Sequence, residues 1–238
     1  MYPEKIEMLI NGRWCQGSEG NSQPLLNPAT EDVLAEVPHA SFSDLEEALE
    51  ASAEGFKVWR DTAPLERQAI MEAAARLMET RIDEIAKTLT LEMGKPLAES
   101  KVEMSFVIDV TRWYAEEGKR AYGRLVPARI PGTRQMVLKE PVGPSCAFVA
   151  WNFPGTNVIR KVAGALAAGC SMLIKPSEET PGTAVSIARC FQDAGLPAGV
   201  LNVVFGIPNE VSRHVLGSWI PRKMSFTGSI PVGKHLQK

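Results

Sequence analysis

The chain has 238 residues, 45% hydrophobic and 23% charged, which suits one large or two modest globular domains. A formal net charge of -2 supplies no basic field to recruit nucleic acid or an anionic lipid surface. Cys15, Cys146, Cys170 and Cys190 lack Cys-x-x-Cys spacing, and His39, His214 and His235 stand apart, so buried thiols and no metal site are expected.

In chain order, Met1-Tyr2-Pro3-Glu4-Lys5 lacks the charged-then-apolar pattern of a secretion signal, and no apolar run approaches a membrane span. A cytoplasmic protein without membrane contact is expected. Residues 7–37 read as a small β unit, with Asn11-Gly12 as a favoured two-residue hairpin turn. Ser43-Asp44-Leu45-Glu46 has the form of a capping box. The helix it opens repeats Leu45, Ala48, Leu49, Ser52, Phe56 and Trp59 at three-and-four spacing. Pro64 opens a second helix and a third spans about 81–93. Gly94-Lys95-Pro96 then precedes a longer fourth with Val107, Val110 and Tyr114 on one face. Glu46, Glu47, Glu99, Lys101, Glu116 and Glu117 read as solvated outer faces.

Residues 123–144, with Pro131-Gly132 as a type II turn, read as a β ribbon. It has too few apolar side chains to stand alone and is expected to pair with another chain or another part of the protein. From 145 onwards strands and helices alternate, which predicts an α/β fold with a parallel, doubly wound sheet. The expected division is 1–122, 123–144 and 145–238.

Two polar corners stand out between Val149 and Pro181. An apolar run ends at Trp151-Asn152, where Pro154 opens a helix with Val158, Val162, Ala165 and Leu166 on its core side. The following strand ends at Lys175-Pro176-Ser177-Glu178, and Thr180-Pro181 caps the next helix. Open α/β sheets bind ligands at such carboxyl ends. Asn152 is either a turn former or an amide donor to a developing oxyanion. Arg160 lies six residues after Pro154, about 9 Å along the helix axis, and is either exposed surface or a partner for a distal carboxylate. Lys175 and Glu178 are slightly better read as a surface pair than as partners for the two hydroxyls of a ribose.

Gly228-Ser-Ile-Pro-Val-Gly233-Lys234 has P-loop spacing, but His235 replaces the hydroxyl that would hold magnesium and Pro231 removes an N–H. A phosphotransferase is therefore disfavoured. What survives is a Thr-Gly-Ser turn that can offer N–H groups to one phosphate or serve as a plain glycine turn.

Taken together, these segments resemble the aldehyde dehydrogenase superfamily along essentially the whole chain. The resemblance is carried by Asn27-Pro28-Ala29-Thr30, Glu92-Met93-Gly94-Lys95-Pro96, Lys139-Glu140-Pro141-Val142-Gly143 and Trp151-Asn152-Phe153-Pro154. Ala165-Leu166-Ala167-Ala168-Gly169, Lys175-Pro176-Ser177-Glu178 and Phe226-Thr227-Gly228-Ser229 extend it. Residues 116–124 and Arg160-Lys161 look most like the succinate-semialdehyde and ketoglutarate-semialdehyde branch.

The resemblance implies an aldehyde-dehydrogenase-type NAD(P)-binding domain, preceding helices and an oligomerisation ribbon at 123–144. It implies oxidation of an aldehyde to the acid through a cysteine thioester, with NAD favoured over NADP because Glu178 would repel a 2′-phosphate. By that match Asn152 holds the oxyanion and Arg160 the substrate carboxylate. The cofactor would lie along Val149, Ala150, Trp151, Lys175, Ser177, Glu178, Gly206, Phe226, Thr227, Gly228 and Ser229. A homo-oligomer, dimer or tetramer, is implied. Family members run to about twice this length, with nucleophilic cysteine and glutamate base beyond Lys238, so the chain is expected to be inactive alone. The alternative is a nucleotide-binding or interaction module of the same fold without chemistry.

Overall fold

The computed structural model describes every residue except Met1, Glu4 and Lys238. Its centre is a six-stranded sheet in the order β10-β7-β8-β9-β1-β2. Strands β7 (Ser145–Phe148), β8 (Met172–Lys175), β9 (Leu201–Val203) and β10 (Lys223–Phe226) are parallel. Residues in β7, β8 and β9 are buried throughout, as strands covered on both faces must be.

The strands from 145 onwards are parallel, as expected, and a hairpin from the chain's start extends the sheet antiparallel. β1 (Met8–Ile10) and β2 (Arg13–Cys15) form the hairpin turned by Asn11-Gly12, both at positive φ, and β1 joins β9 antiparallel. The expected small β unit therefore splits. Its first hairpin extends the main sheet, while β3 (Ser22–Leu26) and β4 (Val33–Pro38) pair separately. Met8, Leu9 and Ile10 are all buried, which explains the recruitment: an apolar strand on both faces needs the sheet's interior.

Helices α5 (Pro154–Ala167) and α6 (Pro181–Asp193) link β7 to β8 to β9 on one face. Helices α2 (Pro64–Thr80), α3 (Ile82–Met93) and α4 (Leu97–Glu117) form an outer layer on them. On the other face α1 (Phe42–Asp61) crosses β1, β8 and β9, with α7 (Pro208–Gly217) against it. Because β9 is followed by α7 and then by β10 on the far side of β7, the strand order reverses between β7 and β10. Ligands of open α/β sheets lie outside the carboxyl ends at such a switch point.

Local signals set the helix ends, with two corrections. The capping box at α1 is Ser41 with Asp44, two residues earlier than the sequence suggested: the Ser41 hydroxyl accepts from Asp44 N while Asp44 Oδ2 accepts from Ser41 N. Thr180 does occupy the N-cap of α6, but its side chain makes no cap hydrogen bond. On α5 the buried side is Val158, Ile159, Val162, Ala163 and Leu166, with Ala165 only half-buried. The core is continuous: Leu49, Trp59, Met78, Leu89, Val107, Leu173 and Phe191 belong to one buried cluster.

The ribbon is β5 (Arg124–Pro127) with β6 (Arg134–Val137), turned by Gly132 at φ 80°. Leu125, Ile130, Met136 and Leu138 stand exposed on it. No helix among the described residues is long and apolar enough to cross a membrane, and they hold no cluster of three or more metal-ligating side chains.

Candidate active site

The switch point is built by the ends of β7 and β10. Thr227 N donates to Phe148 O at 3.0 Å and Val149 N to Lys175 O at 3.3 Å, so the corners after β7, β8 and β10 converge on one edge. Trp151, Asn152 and Phe153 turn out of the sheet there and are exposed. Asn157, one turn into α5, donates its side-chain amide to Ala150 O and to Asn152 Oδ1, each at 3.1 Å.

This corner is held from below by a carboxylate the sequence did not single out. Glu103 on α4 is buried, and its Oε1 accepts from Gly155 N and Thr156 N, each at 3.0 Å. Lys95 donates to Glu103 Oε2 at 2.5 Å and lies 4.2 Å from the centre of the Phe153 ring. The N-terminus of α5 is thus capped by a side chain from another helix, where the carboxylate also meets the positive end of the helix dipole.

Arg160 lies three residues beyond Asn157 on α5, so the two share a side of the helix. It is exposed, with its guanidinium 5.2 Å from the Phe106 ring centre. Among the described residues no carboxylate pairs with it. Burial, then the charges of Arg160 and Lys223, lowers the pKa of the neighbouring Lys161.

Beside it opens a cleft of 300 Å³ lined by Phe148, Val149, Lys175, Ser177, Glu178, Pro208, Asn209, Ser212, Phe226, Val232, His235 and Leu236. Lys175 and Glu178 are not the surface pair the sequence favoured. They are 5% and 9% exposed and form an ion pair through Lys175 Nζ and Glu178 Oε1. Burial lowers the lysine's pKa, opposed by the charge and hydrogen bond of Glu178. Gly206 N donates to the same Oε1 at 3.3 Å, and Oε2 accepts no hydrogen bond among the described residues.

A second buried carboxylate closes α6. Glu92 accepts from Gly182 N at 2.8 Å, Thr183 N at 2.9 Å, Thr183 Oγ1 at 2.5 Å and the Tyr2 hydroxyl at 2.6 Å. The N-termini of α5 and α6 are therefore both occupied from within. The Thr227-Gly228-Ser229 turn before α8 (Ile230–Leu236) carries no side-chain cap.

Residues 14–238 match the profile of the aldehyde dehydrogenase family. The chain belongs to that family. It is 44% identical to 4-(hydroxymethyl)benzenesulfonate dehydrogenase TsaD1 of Comamonas testosteroni, over 97% of this chain and 48% of that protein. It is 39% identical to the NADP(+) succinate-semialdehyde dehydrogenase GabD of Escherichia coli, over 98% and 48% respectively. A crystal structure of a point mutant of Staphylococcus aureus betaine aldehyde dehydrogenase in complex with NAD+ superposes with a TM-score of 0.94. That match is at 30% identity and covers 97% of this chain and 48% of that one. The chain spans about half the length of the curated relatives it matches.

Within this aldehyde dehydrogenase chain, Val149, Lys175, Ser177, Glu178 and Phe226 line the one 300 Å³ cleft. Trp151 instead lines a neighbouring cleft of 430 Å³ with Leu25, Pro28 and Glu179. Asn152 sits at the β7–α5 corner, Arg160 lies about two turns into α5, and Gly206 serves Glu178 through its N–H. Thr227 fixes β10 to β7, while Gly228 packs on its own strand's Phe226, whose ring a Cβ there would approach to 2.5 Å. A cleft of 840 Å³ between Phe56, Pro141, Trp219 and Arg222 is lined by none of the expected site residues.

The structure adds Glu92, Lys95, Glu103, Asn157, Asn209, Ser212 and His235. Glu92 and Lys95 belong to the quoted Glu-Met-Gly-Lys-Pro segment, which was the one signal for them. Neither Cys146 nor Cys190 offers an activated thiol: burial raises the first to about 12 and the second to about 11. Cys170 is buried, and Cys15 is half-buried and raised mainly by burial.

Proposed function

We propose that this chain forms the cofactor-binding and oxyanion-stabilising half of an NAD(P)-dependent aldehyde dehydrogenase whose substrate carries a distal carboxylate or sulfonate. The observation that carries the reading is Arg160. It is a guanidinium without a carboxylate partner among the described residues, next to Lys161 and three residues beyond the Asn157 that hydrogen-bonds the Asn152 amide. Two of the relatives are named for compounds with such a group, a sulfonate in one and the acid end of succinate semialdehyde in the other.

The residues at the switch point fit a dinucleotide. Glu178 Oε2 and Lys175 offer an acceptor and a donor to ribose hydroxyls, and the carboxylate opposes a 2′-phosphate, which favours NAD. Pro208, Val232 and Leu236 give the cleft apolar walls suited to a base. With α5 and α6 already capped by Glu103 and Glu92, Ser229 and its neighbours remain to meet the pyrophosphate. When bound, the cofactor accepts a hydride from the substrate carbon.

Asn152 supplies the electrostatic part of the reaction. As a thiolate adds to the aldehyde, negative charge grows on the carbonyl oxygen, and the Asn152 NH2 donates to it. Arg160 anchors the far end of the substrate by a bidentate pair, so the reacting carbon is held at a fixed distance from Asn152. Burial keeps Cys146 and Cys190 as thiols, so neither supplies that thiolate. The exposed Leu125, Ile130, Met136 and Leu138 of the ribbon suit burial against a second copy, in keeping with a homo-oligomer.

In the whole enzyme, Arg160→Ala is expected to raise KM for succinate semialdehyde by about a hundredfold, from the loss of a charged hydrogen-bonded pair. KM for an uncharged aliphatic aldehyde should change less than about threefold. Equal changes for both substrates, measured by steady-state NADH formation, would remove Arg160 from the substrate site.

A further inference from the structure

We infer that Asn157 is a positioning residue that fixes the Asn152 amide with its NH2 group turned outward; the functional weight of this rests on Asn152 as oxyanion donor. A backbone carbonyl can only accept, so the contact of Asn157 with Ala150 O at 3.1 Å identifies the Asn157 atom there as Nδ2. The second hydrogen of that nitrogen points at Asn152, 3.1 Å away, and must meet an acceptor. The Asn152 atom facing Asn157 is therefore Oδ1, and its NH2 is the end left for a ligand. Ala150 O, part of the corner after β7, sets the polarity of the whole relay.

An amide side chain that is free to turn presents its oxygen to an oxyanion as readily as its nitrogen, and the oxygen repels. Asn157 removes that ambiguity before substrate arrives. The corner has a second brace in Glu103, whose Oε1 takes Gly155 N and Thr156 N at 3.0 Å each, so it does not rest on Asn157 alone.

Two substitutions separate this role from packing. Asn157→Leu deletes the donor, whereas Asn157→Asp keeps the shape and reverses the polarity. The carboxylate cannot donate to Ala150 O, and it draws the Asn152 NH2 inward. In side-chain amide NMR spectra of this chain, the Asn157 NH2 should be protected from solvent exchange and the Asn152 NH2 unprotected. In Asn157→Asp the Asn152 NH2 should become protected.

In the whole enzyme, kcat should fall about tenfold in Asn157→Leu and about a hundredfold in Asn157→Asp, with KM for NAD unchanged. Protection of the Asn152 NH2 in the unaltered chain overturns the inference. So does a milder effect of aspartate than of leucine. If the unaltered whole enzyme oxidises no aldehyde, the proposed function fails instead, and the amide spectra still decide the orientation.

Discussion

Glu92→Ala is expected to lower the free energy of unfolding by about 4 kcal/mol, measured by urea denaturation of this chain. Glu92 is 3% exposed and accepts from Gly182 N, Thr183 N, the Thr183 hydroxyl and the Tyr2 hydroxyl. Deleting the carboxylate leaves these donors without a partner in a dry interior and uncaps α6. It also frees the strand-leading segment that Tyr2 ties down. A loss below about 1 kcal/mol would show that water or rearrangement replaces the carboxylate, and that the clamp is not what holds α6 to α3.

The same group gives a pH dependence with a definite sign. Burial outweighs the hydrogen bonds from Thr183, Tyr2 and Gly182 and lifts the Glu92 carboxyl to about 7. Its pKa in the unfolded chain is about 4.3, so the folded state holds the proton more tightly. That contribution to stability is complete below about pH 4 and is lost as pH rises through 7. Glu92→Gln, which cannot titrate, should flatten this fall.

Asn152→Ala is expected to reduce kcat of the whole enzyme by about a hundredfold or more, the usual cost of one oxyanion donor. KM for NAD should stay within about twofold, because Asn152 lines neither the 300 Å³ cleft nor the ion pair of Lys175 with Glu178. The loss appears in kcat because the interaction exists only once charge has moved onto the oxygen. A kcat within about threefold of the unaltered enzyme would mean that Asn152 is only a turn former, held by Asn157 for structural reasons.

Much of the frame was legible because its signals are local. Asn11-Gly12 turns a hairpin, Pro64, Pro154 and Pro181 sit at helix starts, and Gly132 adopts the positive φ that its turn demands. The alternation after 145 gives the crossovers, and with them the corners at Asn152 and Glu178. Three features escaped because their cause is far away in sequence. Glu103 reaches Gly155 across 52 positions and Glu92 reaches Gly182 across 90, and no period or spacing marks such a cap.

The third is the burial of Lys175 with Glu178. Two charges three residues apart look like a solvated pair until Gly206 from the next crossover closes over them. The misplaced capping box has a plainer origin. Ser41 and Ser43 both precede acidic residues by three, and only the tertiary contact of Asp44 with Ser18 selects the first. The joining of β1 to β9 was likewise invisible, since Met8-Leu9-Ile10 does not say which sheet will bury it.

The cleft holding Glu178 is expected to take the adenosine end of NAD. The most direct test is calorimetric titration of this chain with ADP-ribose and with its 2′-phosphorylated form, which need no nicotinamide pocket. ADP-ribose should bind, its 2′-phosphate should bind at least about tenfold more weakly, and Glu178→Ala should weaken ADP-ribose by about tenfold while narrowing that gap. Equal affinity for the two ligands, untouched by Glu178→Ala, would contradict the assignment of the cleft.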